Sequence, residues 1–155
     1  MTQSDRFAAR FAVLAQKKEG AFVPFVNLCD PTPEISSQIL EALAAGGADA
    51  LELGIPFSDP CADGPVIEAS AQRALAAGST TAKCLGIIKA FRAKHPDIPV
   101  SLMLYVNLVT APGVEHFFAA AKDAGVDAVL IPDVPISMRE ACLLYTSDAA
   151  DEEDS

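Results

Sequence analysis

Short apolar runs alternate with helical patterns along most of this chain, and that alternation is the strongest constraint on its fold. The apolar runs predict strands at residues 22–28, 49–53, 98–105 and 126–131. Apolar residues at helical spacing predict helices at residues 4–18, 34–45, 65–77, 81–94 and 114–124. Ser4 is the expected N-cap of the first helix, and Gly20 is expected to end it. Helices that alternate with short apolar strands form parallel βα units, so the sequence predicts an α/β fold.

One segment is repeated within the chain. Residues 47–53 (GADALEL) match residues 125–131 (GVDAVLI) as a helix-ending glycine followed by a buried strand. Repetition of this kind favours a barrel assembled from similar units, although the chain's 155 residues are few for a complete α/β barrel of about 250 residues. In register, Glu52 stands where the second copy has Leu130. The repeated segment therefore has the pattern of a structural element, and Glu52 is the exception because the other copy has an apolar residue at that position.

The charge and cysteine patterns argue against several classes of function. The formal net charge is −10, whereas nucleic-acid binding needs clustered Lys and Arg. No apolar run reaches the roughly 20 residues that span a bilayer, and the first residues lack the apolar core of a signal peptide. The four cysteines, at 29, 61, 84 and 142, form no C-x-x-C pair and have no nearby His at ligand spacing. We therefore expect a cytoplasmic, metal-free chain without a disulfide framework.

Residues 51–65 (LELGIPFSDPCADGP) join a predicted strand to a turn-rich loop that carries carboxylates. Strand alternation puts Glu52 on the face opposite its leucine neighbours, so its carboxylate is expected to point into the barrel interior. Asp59 and Asp63 follow in the loop. In parallel α/β folds, ligands bind in the loops after the carboxyl ends of strands. Three acids there suggest acid/base chemistry on a small molecule.

Each of these residues also has a structural interpretation. Glu52 could be paired with a Lys or Arg in the core. Asp63 could form an Asx turn or cap the helix that begins near Pro65, and Asp59 could be a turn residue. Three further residues end the other predicted strands and would share the same mouth of the barrel; they are Phe25, Tyr105 and Asp133. Phe25 and Tyr105 could equally be core aromatics.

The last residues differ from the rest of the chain in periodicity and in charge. Residues 142–155 show neither helical nor strand periodicity and carry five acids and no bases. They could be a solvated acidic tail, but residues 142 to about 152 resemble an in-frame translation of a sequencing adapter. We therefore expect residues 1–141 to be a partial barrel and residues 142–155 to be a non-native, disordered acidic tail, with the natural protein continuing past Ala141.

The acidic loop resembles the signature of the tryptophan synthase alpha subunit family, whose members carry a near-identical Glu-x-Gly-Ile-Pro-Phe-Ser-Asp-Pro-x-Ala-Asp-Gly-Pro run. The likeness extends through residues 18–26, 105–108 and 133–135, and covers residues 4 to about 140. It implies a TIM (β/α)8 barrel with an extra N-terminal helix, of which this chain holds about the first four βα units. It also implies retro-aldol cleavage of indole-3-glycerol phosphate to indole and glyceraldehyde 3-phosphate.

The resemblance also implies roles for individual residues. Glu52 would be the general acid/base at the glycerol side chain and indole C3, and Asp63 would bind the indole N–H and stabilise positive charge on the ring. Asp59 and Pro60 would face a beta subunit in an alpha2beta2 assembly. Pyridoxal phosphate is expected only in that beta partner, so this chain would need no cofactor. Four residues match positions that line or support the indole pocket; they are Phe25, Met103, Tyr105 and Leu130.

The chain departs from the family pattern in a few residues and in length. Cys29, Cys61 and Pro132 stand where glycine, an aliphatic residue and a small residue are usual. The predicted strands are four of the eight in a barrel, and the family's phosphate site lies in the other half. The chain alone is therefore expected to be inactive, and to aggregate or dimerise through open strand edges.

Two other functions fit the sequence. The chain could be a half-barrel that only binds a beta-type partner through its acidic loop. The whole protein could instead be another phosphate-binding barrel, although no predicted strand end carries the Lys of a Schiff-base aldolase.

Overall fold

The computed structural model describes residues 5–135 and 137. Helices and strands alternate along them in the order α1 (Arg6–Lys17), β1 (Phe25–Asn27), α2 (Pro33–Ala45), β2 (Leu51–Gly54), α3 (Pro65–Ala76), α4 (Thr81–Lys94), β3 (Val100–Met103), α5 (Val106–Thr110), α6 (Val114–Ala124) and β4 (Ala128–Leu130). The strands form one parallel sheet in the order β1-β2-β3-β4. The predicted parallel α/β architecture is confirmed.

The two faces of the sheet have different surroundings. Leu51 and Leu53 of β2, and Val100 and Leu102 of β3, are fully buried with apolar residues of the surrounding helices. Side chains of the opposite face form two rows across the sheet, because paired residues of parallel strands point the same way. The first row is Phe25, Glu52, Ser101 and Ala128, and the second is Asn27, Gly54, Met103 and Leu130. Within the described residues this second face is only partly covered, since Leu130 remains 48% exposed.

Helix α1 is attached near the amino ends of two strands by ion pairs. Arg6 pairs with Asp127, which precedes β4, and Arg10 pairs with Asp49, which precedes β2. Asp49 also accepts a hydrogen bond from the Phe22 backbone N–H at 2.7 Å. The carboxyl ends of the strands lie at the other edge of the sheet, where the acidic loop begins.

The helices agree closely with the sequence patterns, and the differences lie at ends and in short elements. The N-cap of α1 is Asp5, whose side chain accepts from the Ala8 N–H, so the assignment of Ser4 as N-cap was wrong. The helix ends at Lys17, and its C-cap Lys18 has a left-handed conformation, so the helix stops before Gly20. The short helix α5 was not predicted, and every strand is shorter than its apolar run.

No helix in the described part of the chain is both long and apolar enough to cross a bilayer. The predicted boundary between a barrel portion and an acidic tail, at residues 141 and 142, lies outside the described residues. That boundary stays a prediction.

Candidate active site

Glu52 lies in the centre of the less covered face of the sheet. It is half-buried on β2, in register with Phe25 on one side and Ser101 on the other. The ion pairs found within residues 5–135 and 137 do not include Glu52, so those residues offer no support for a core salt bridge. A half-buried carboxylate without an ionic partner among its neighbours is suited to exchange protons with a bound ligand.

Gly54 keeps the space beside Glu52 free for two side chains of β1. A Cβ atom at Gly54 would clash with the amide oxygen of Asn27 and with the ring of Phe25. The Asn27 amide in turn donates to the Ile67 carbonyl of α3 at 3.1 Å. The glycine is therefore required by a close approach across the sheet, and this approach fixes the position of the Phe25 ring.

The acidic loop is anchored to the end of β3 by Tyr105. The Ala62 backbone N–H donates to the Tyr105 hydroxyl at 3.1 Å, and the Phe57 and Tyr105 rings lie 5.4 Å apart at 31°. Burial raises the pKa of the Tyr105 hydroxyl, the hydrogen bond from the Ala62 N–H lowers it, and the nearby Asp63 carboxylate raises it. Tyr105 is thus both a core aromatic and the hydrogen-bond partner of Ala62, which holds the loop next to Asp63 at this edge of the sheet.

Asp63 does not cap the helix that follows it. The N-cap of α3 is Gly64, and no side chain makes a cap hydrogen bond there. The structural interpretation of Asp63 as a helix cap is therefore wrong. Its half-buried carboxylate lies near the Tyr105 hydroxyl.

The remaining predicted site residues lie around these two acids. Met103 and Leu130 occupy the second row of the same face, in which Met103 lies between Gly54 and Leu130. Asp59 is exposed on the loop and accepts a hydrogen bond from the Ser58 hydroxyl at 2.6 Å, and Pro60 is half-buried. Their assignments as pocket and partner-facing residues stay predictions.

Asp133 has a structural role at the same edge. Its carboxylate accepts a hydrogen bond from the Val106 N–H at 2.8 Å, at the first residue of α5. It therefore fixes the chain directly after Tyr105. Sequence reasoning placed Asp133 at this mouth, but it missed α5 and so missed the hydrogen bond.

Sequence reasoning also missed Asn27 and Gly54. The available signal was a glycine inside a strand pattern, which often marks a close approach of neighbouring groups. Asn27 gave a weaker signal, as a polar residue within an apolar run.

A cleft of about 640 Å³ lies away from these acids, between α2 and α4. Its lining includes Thr32, Glu34, Lys83 and Gly86, all on the helical side of the molecule. It shares no residue with the face that carries Glu52.

Comparison with known proteins identifies the family. A family model described as tryptophan synthase alpha chain matches residues 11–150. The chain belongs to the tryptophan synthase alpha chain family. The alpha chain of Erwinia tasmaniensis is 56% identical over 132 residues, which are 85% of this chain and 49% of that relative. The alpha chain of Photobacterium profundum is 56% identical over 136 residues, or 88% of this chain and 51% of the relative.

Solved structures of tryptophan synthase alpha chains have the same fold. The alpha subunit from Legionella pneumophila superposes with a TM-score of 0.88 at 33% identity, over 92% of this chain and 55% of that one. A chain of the tryptophan synthase complex from Pyrococcus furiosus superposes with a TM-score of 0.76 at 39% identity, over 81% and 52% of the two chains. This chain spans about half the length of the curated relatives it matches. Its four-stranded sheet is therefore part of a TIM barrel.

Proposed function

We propose that this chain supplies one half of the active site of a tryptophan synthase alpha-type lyase. The reaction is retro-aldol cleavage of indole-3-glycerol phosphate to indole and glyceraldehyde 3-phosphate, in tryptophan biosynthesis. The observation that carries the proposal is the placement of two carboxylates around one face. Glu52 lies in the row beside Phe25, and Asp63 lies near Tyr105 at the end of β3.

The two acids match the proton movements that the cleavage requires. Glu52 would deliver a proton to indole C3 and take one from the glycerol hydroxyl, so that the carbon–carbon bond breaks as an aldehyde forms. Asp63 would accept a hydrogen bond from the indole N–H and stabilise the positive charge that develops on the protonated ring. We propose no metal or cofactor for these steps.

The face around Glu52 offers an apolar surface for the indole ring. Phe25, Met103 and Leu130 share that face, and Tyr105 lies at its edge. Aromatic rings and the Met thioether pack well against an indole ring and leave its N–H free to bind Asp63. We therefore propose these four residues as the part of the indole pocket that this chain contributes.

The exposed part of the loop is the proposed contact with a partner. We propose that Asp59 and Pro60 contact a tryptophan synthase beta subunit; in support, Asp59 is exposed, and the similar Pyrococcus furiosus structure is of a tryptophan synthase complex. Pyridoxal phosphate would belong to that partner and not to this chain. The proposed location of the assembly is the cytoplasm.

The described half does not make a complete enzyme in this proposal. Loops of the other half of such barrels bind the substrate phosphate. Binding energy from this non-reacting group positions the reacting atoms, so its loss lowers turnover as well as affinity. We expect the 155-residue chain alone to release no measurable indole from indole-3-glycerol phosphate.

The proposal is tested by completing the barrel. Residues 1–135 would be joined to the C-terminal half of the Erwinia tasmaniensis alpha chain, which is 56% identical to this chain where the two align. We expect the joined barrel to release indole at a rate within about tenfold of the intact relative, a loss of under about 1.4 kcal/mol in transition-state stabilisation. A folded joined barrel that binds and activates a beta subunit but releases no indole would favour a binding role and contradict the lyase proposal.

A further inference from the structure

Two cysteine thiols from different elements lie together in the core, outside the proposed active site. The Sγ atoms of Cys29 and Cys84 are 3.8 Å apart, and both residues are fully buried. Cys29 follows β1 in the turn that leads to α2, and Cys84 lies in the first turns of α4. They are 55 residues apart in sequence, so the fold alone brings them together.

The surroundings hold both thiols in place. The Cys29 backbone has φ 66°, and its N–H donates to the Ser36 hydroxyl at 2.9 Å. The Ser79 hydroxyl lies 3.5 Å from the Cys84 sulfur. A disulfide has an S–S distance of about 2.05 Å, so the two sulfurs need to approach by only about 1.8 Å.

The pair is also electrostatically asymmetric. The hydrogen bond with Cys84 lowers the pKa of Cys29, and the Ser79 hydroxyl and the Lys83 charge act in the same direction. Burial and the Glu34 carboxylate oppose them. The same hydrogen bond, together with burial, raises the pKa of Cys84. Cys29 is therefore the thiol that ionises first, and the thiolate is the nucleophilic form of a cysteine.

We propose that Cys29 and Cys84 are a redox-active dithiol pair that a peroxide converts to an intramolecular disulfide. The Cys29 thiolate attacks one oxygen of hydrogen peroxide, the O–O bond breaks, and hydroxide leaves with a proton as water. The Cys84 sulfur then attacks the resulting sulfenic acid, the S–O bond breaks, and a second water leaves. Two thiols and one peroxide thus give one disulfide and two waters, with the peroxide as the oxidant.

The disulfide would join the turn after β1 to α4. The next residue, Asp30, accepts hydrogen bonds from Ser70 and Arg73 of α3, so the same turn also holds the helix that follows the acidic loop. Oxidation would therefore tie together three elements on the helical side of the sheet. The disulfide would lie on the helical side of the sheet, opposite the face that carries Glu52, and would not involve Glu52 or Asp63.

The test uses the full chain with the other two cysteines of the sequence replaced, as Cys61→Ser and Cys142→Ser. After treatment with hydrogen peroxide, the chain is unfolded, free thiols are alkylated, and trypsin digestion is followed by mass spectrometry. Trypsin separates Cys29, in peptide 19–73, from Cys84, in peptide 84–89. We expect the two peptides to appear linked, about 2 Da lighter than their sum, and to separate again after reduction with dithiothreitol.

Two matched variants distinguish this pair from a reactive single thiol. Cys29→Gly, which suits the left-handed backbone at this position, and Cys84→Ala should each give no linked peptide under the same treatment. The proposal is overturned if both cysteines of the parent are recovered alkylated. It is also overturned if Cys29 is recovered as an unlinked sulfinic or sulfonic acid.

Discussion

At the scale of single residues, Glu52 and Asp63 depend on the neighbours that shape their surroundings. Glu52 has Phe25 and Ser101 beside it on the sheet, and Asp63 lies near the Tyr105 hydroxyl. Both acids lie at or near the carboxyl end of β2, where parallel α/β folds bind their ligands. This arrangement can place a proton donor and a charge-stabilising group around one aromatic substrate.

Asp63 and Asp59 provide a matched pair of loop carboxylates. In the joined barrel, Asp63→Asn is expected to lower kcat/KM for indole release by about 100-fold or more, because it removes the charge that stabilises the protonated indole ring. Asp59→Asn removes an exposed charge in the same loop, four residues before Asp63, and should leave kcat/KM within about twofold. Steady-state kinetics would contradict this assignment if both variants lost activity equally.

Gly54 provides a prediction about packing on the active-site face. Gly54→Ala is expected to lower the free energy of unfolding by about 1–3 kcal/mol, because the added Cβ would clash with Asn27 and Phe25. The control is Gly86→Ala in α4, where a Cβ meets nothing within 4 Å. That variant should be more stable by up to about 1 kcal/mol, since alanine favours helices over glycine. Urea unfolding measures both, and equal effects would contradict the packing argument.

At the scale of elements, α1 and β4 are joined through Asp127. Its carboxylate, 8% exposed, pairs with Arg6 of α1 and Arg92 of α4, and it accepts a hydrogen bond from the Val100 N–H of β3 at 2.9 Å. One side chain thus links four elements at the amino edge of the sheet.

Removing that link should destabilise the chain strongly. Asp127→Ala is expected to cost about 3 kcal/mol, because it leaves the Arg92 guanidinium, only 12% exposed, without its carboxylate. Asp123→Ala removes an ion pair with Lys89 whose side chains are 73% and 61% exposed, and should cost under about 1 kcal/mol. Similar losses for the two variants in denaturant unfolding would show that Asp127 has no special structural role.

The stability that Asp49 contributes by attaching α1 is expected to depend on pH. The Phe22 backbone N–H, followed by the Arg10 guanidinium, lowers the pKa of Asp49 below its ordinary value. Such a group stabilises the fold at pH values above about 4 and loses this effect as pH falls through its lower folded pKa. The Tm of Asp49→Asn should therefore lie below that of the parent at pH 7, and the gap should narrow as the pH falls below about 4. A gap that stays constant with pH would contradict this role.

The sequence predicted helices better than strands, for a physical reason. Helices α2, α3, α4 and α6 match their predicted ranges to within one residue, because capping residues such as Thr32 and Thr80 and prolines such as Pro65 mark their ends. The strands are shorter than their apolar runs because the turns that follow them are buried as well. Leu28 and Leu104 lie inside a predicted run but outside a strand, and both are at most 1% exposed.

The site residues that lie in one continuous segment could be predicted from the sequence. The contacts between elements that are distant in sequence could not. The residues of the acidic loop are contiguous, so Glu52, Asp59 and Asp63 could be named from the sequence. The hydrogen bond from Ala62 to Tyr105 and the fit of Asn27 against Gly54 depend on distances between elements that are far apart in sequence. No periodicity encodes such distances.

At the scale of the whole molecule, the described residues form part of a barrel with two strands at its edges. β1 and β4 each have one sheet neighbour among the residues described, and the face that carries Glu52 is only partly covered. The relatives are about twice as long as the matched region, and their additional length would supply the remaining barrel. Self-association of the isolated chain through these edges stays a prediction, which sedimentation velocity can test.

The most direct test of the proposed lyase site is the rate of indole release by the joined barrel carrying Glu52→Gln. The substitution keeps the size of the side chain and removes its ability to exchange a proton. We expect kcat to fall by about 100-fold to 10,000-fold, with KM and the circular dichroism spectrum nearly unchanged. A folded Glu52→Gln barrel that releases indole at the rate of the unsubstituted barrel would show that Glu52 is not the proton-transfer group.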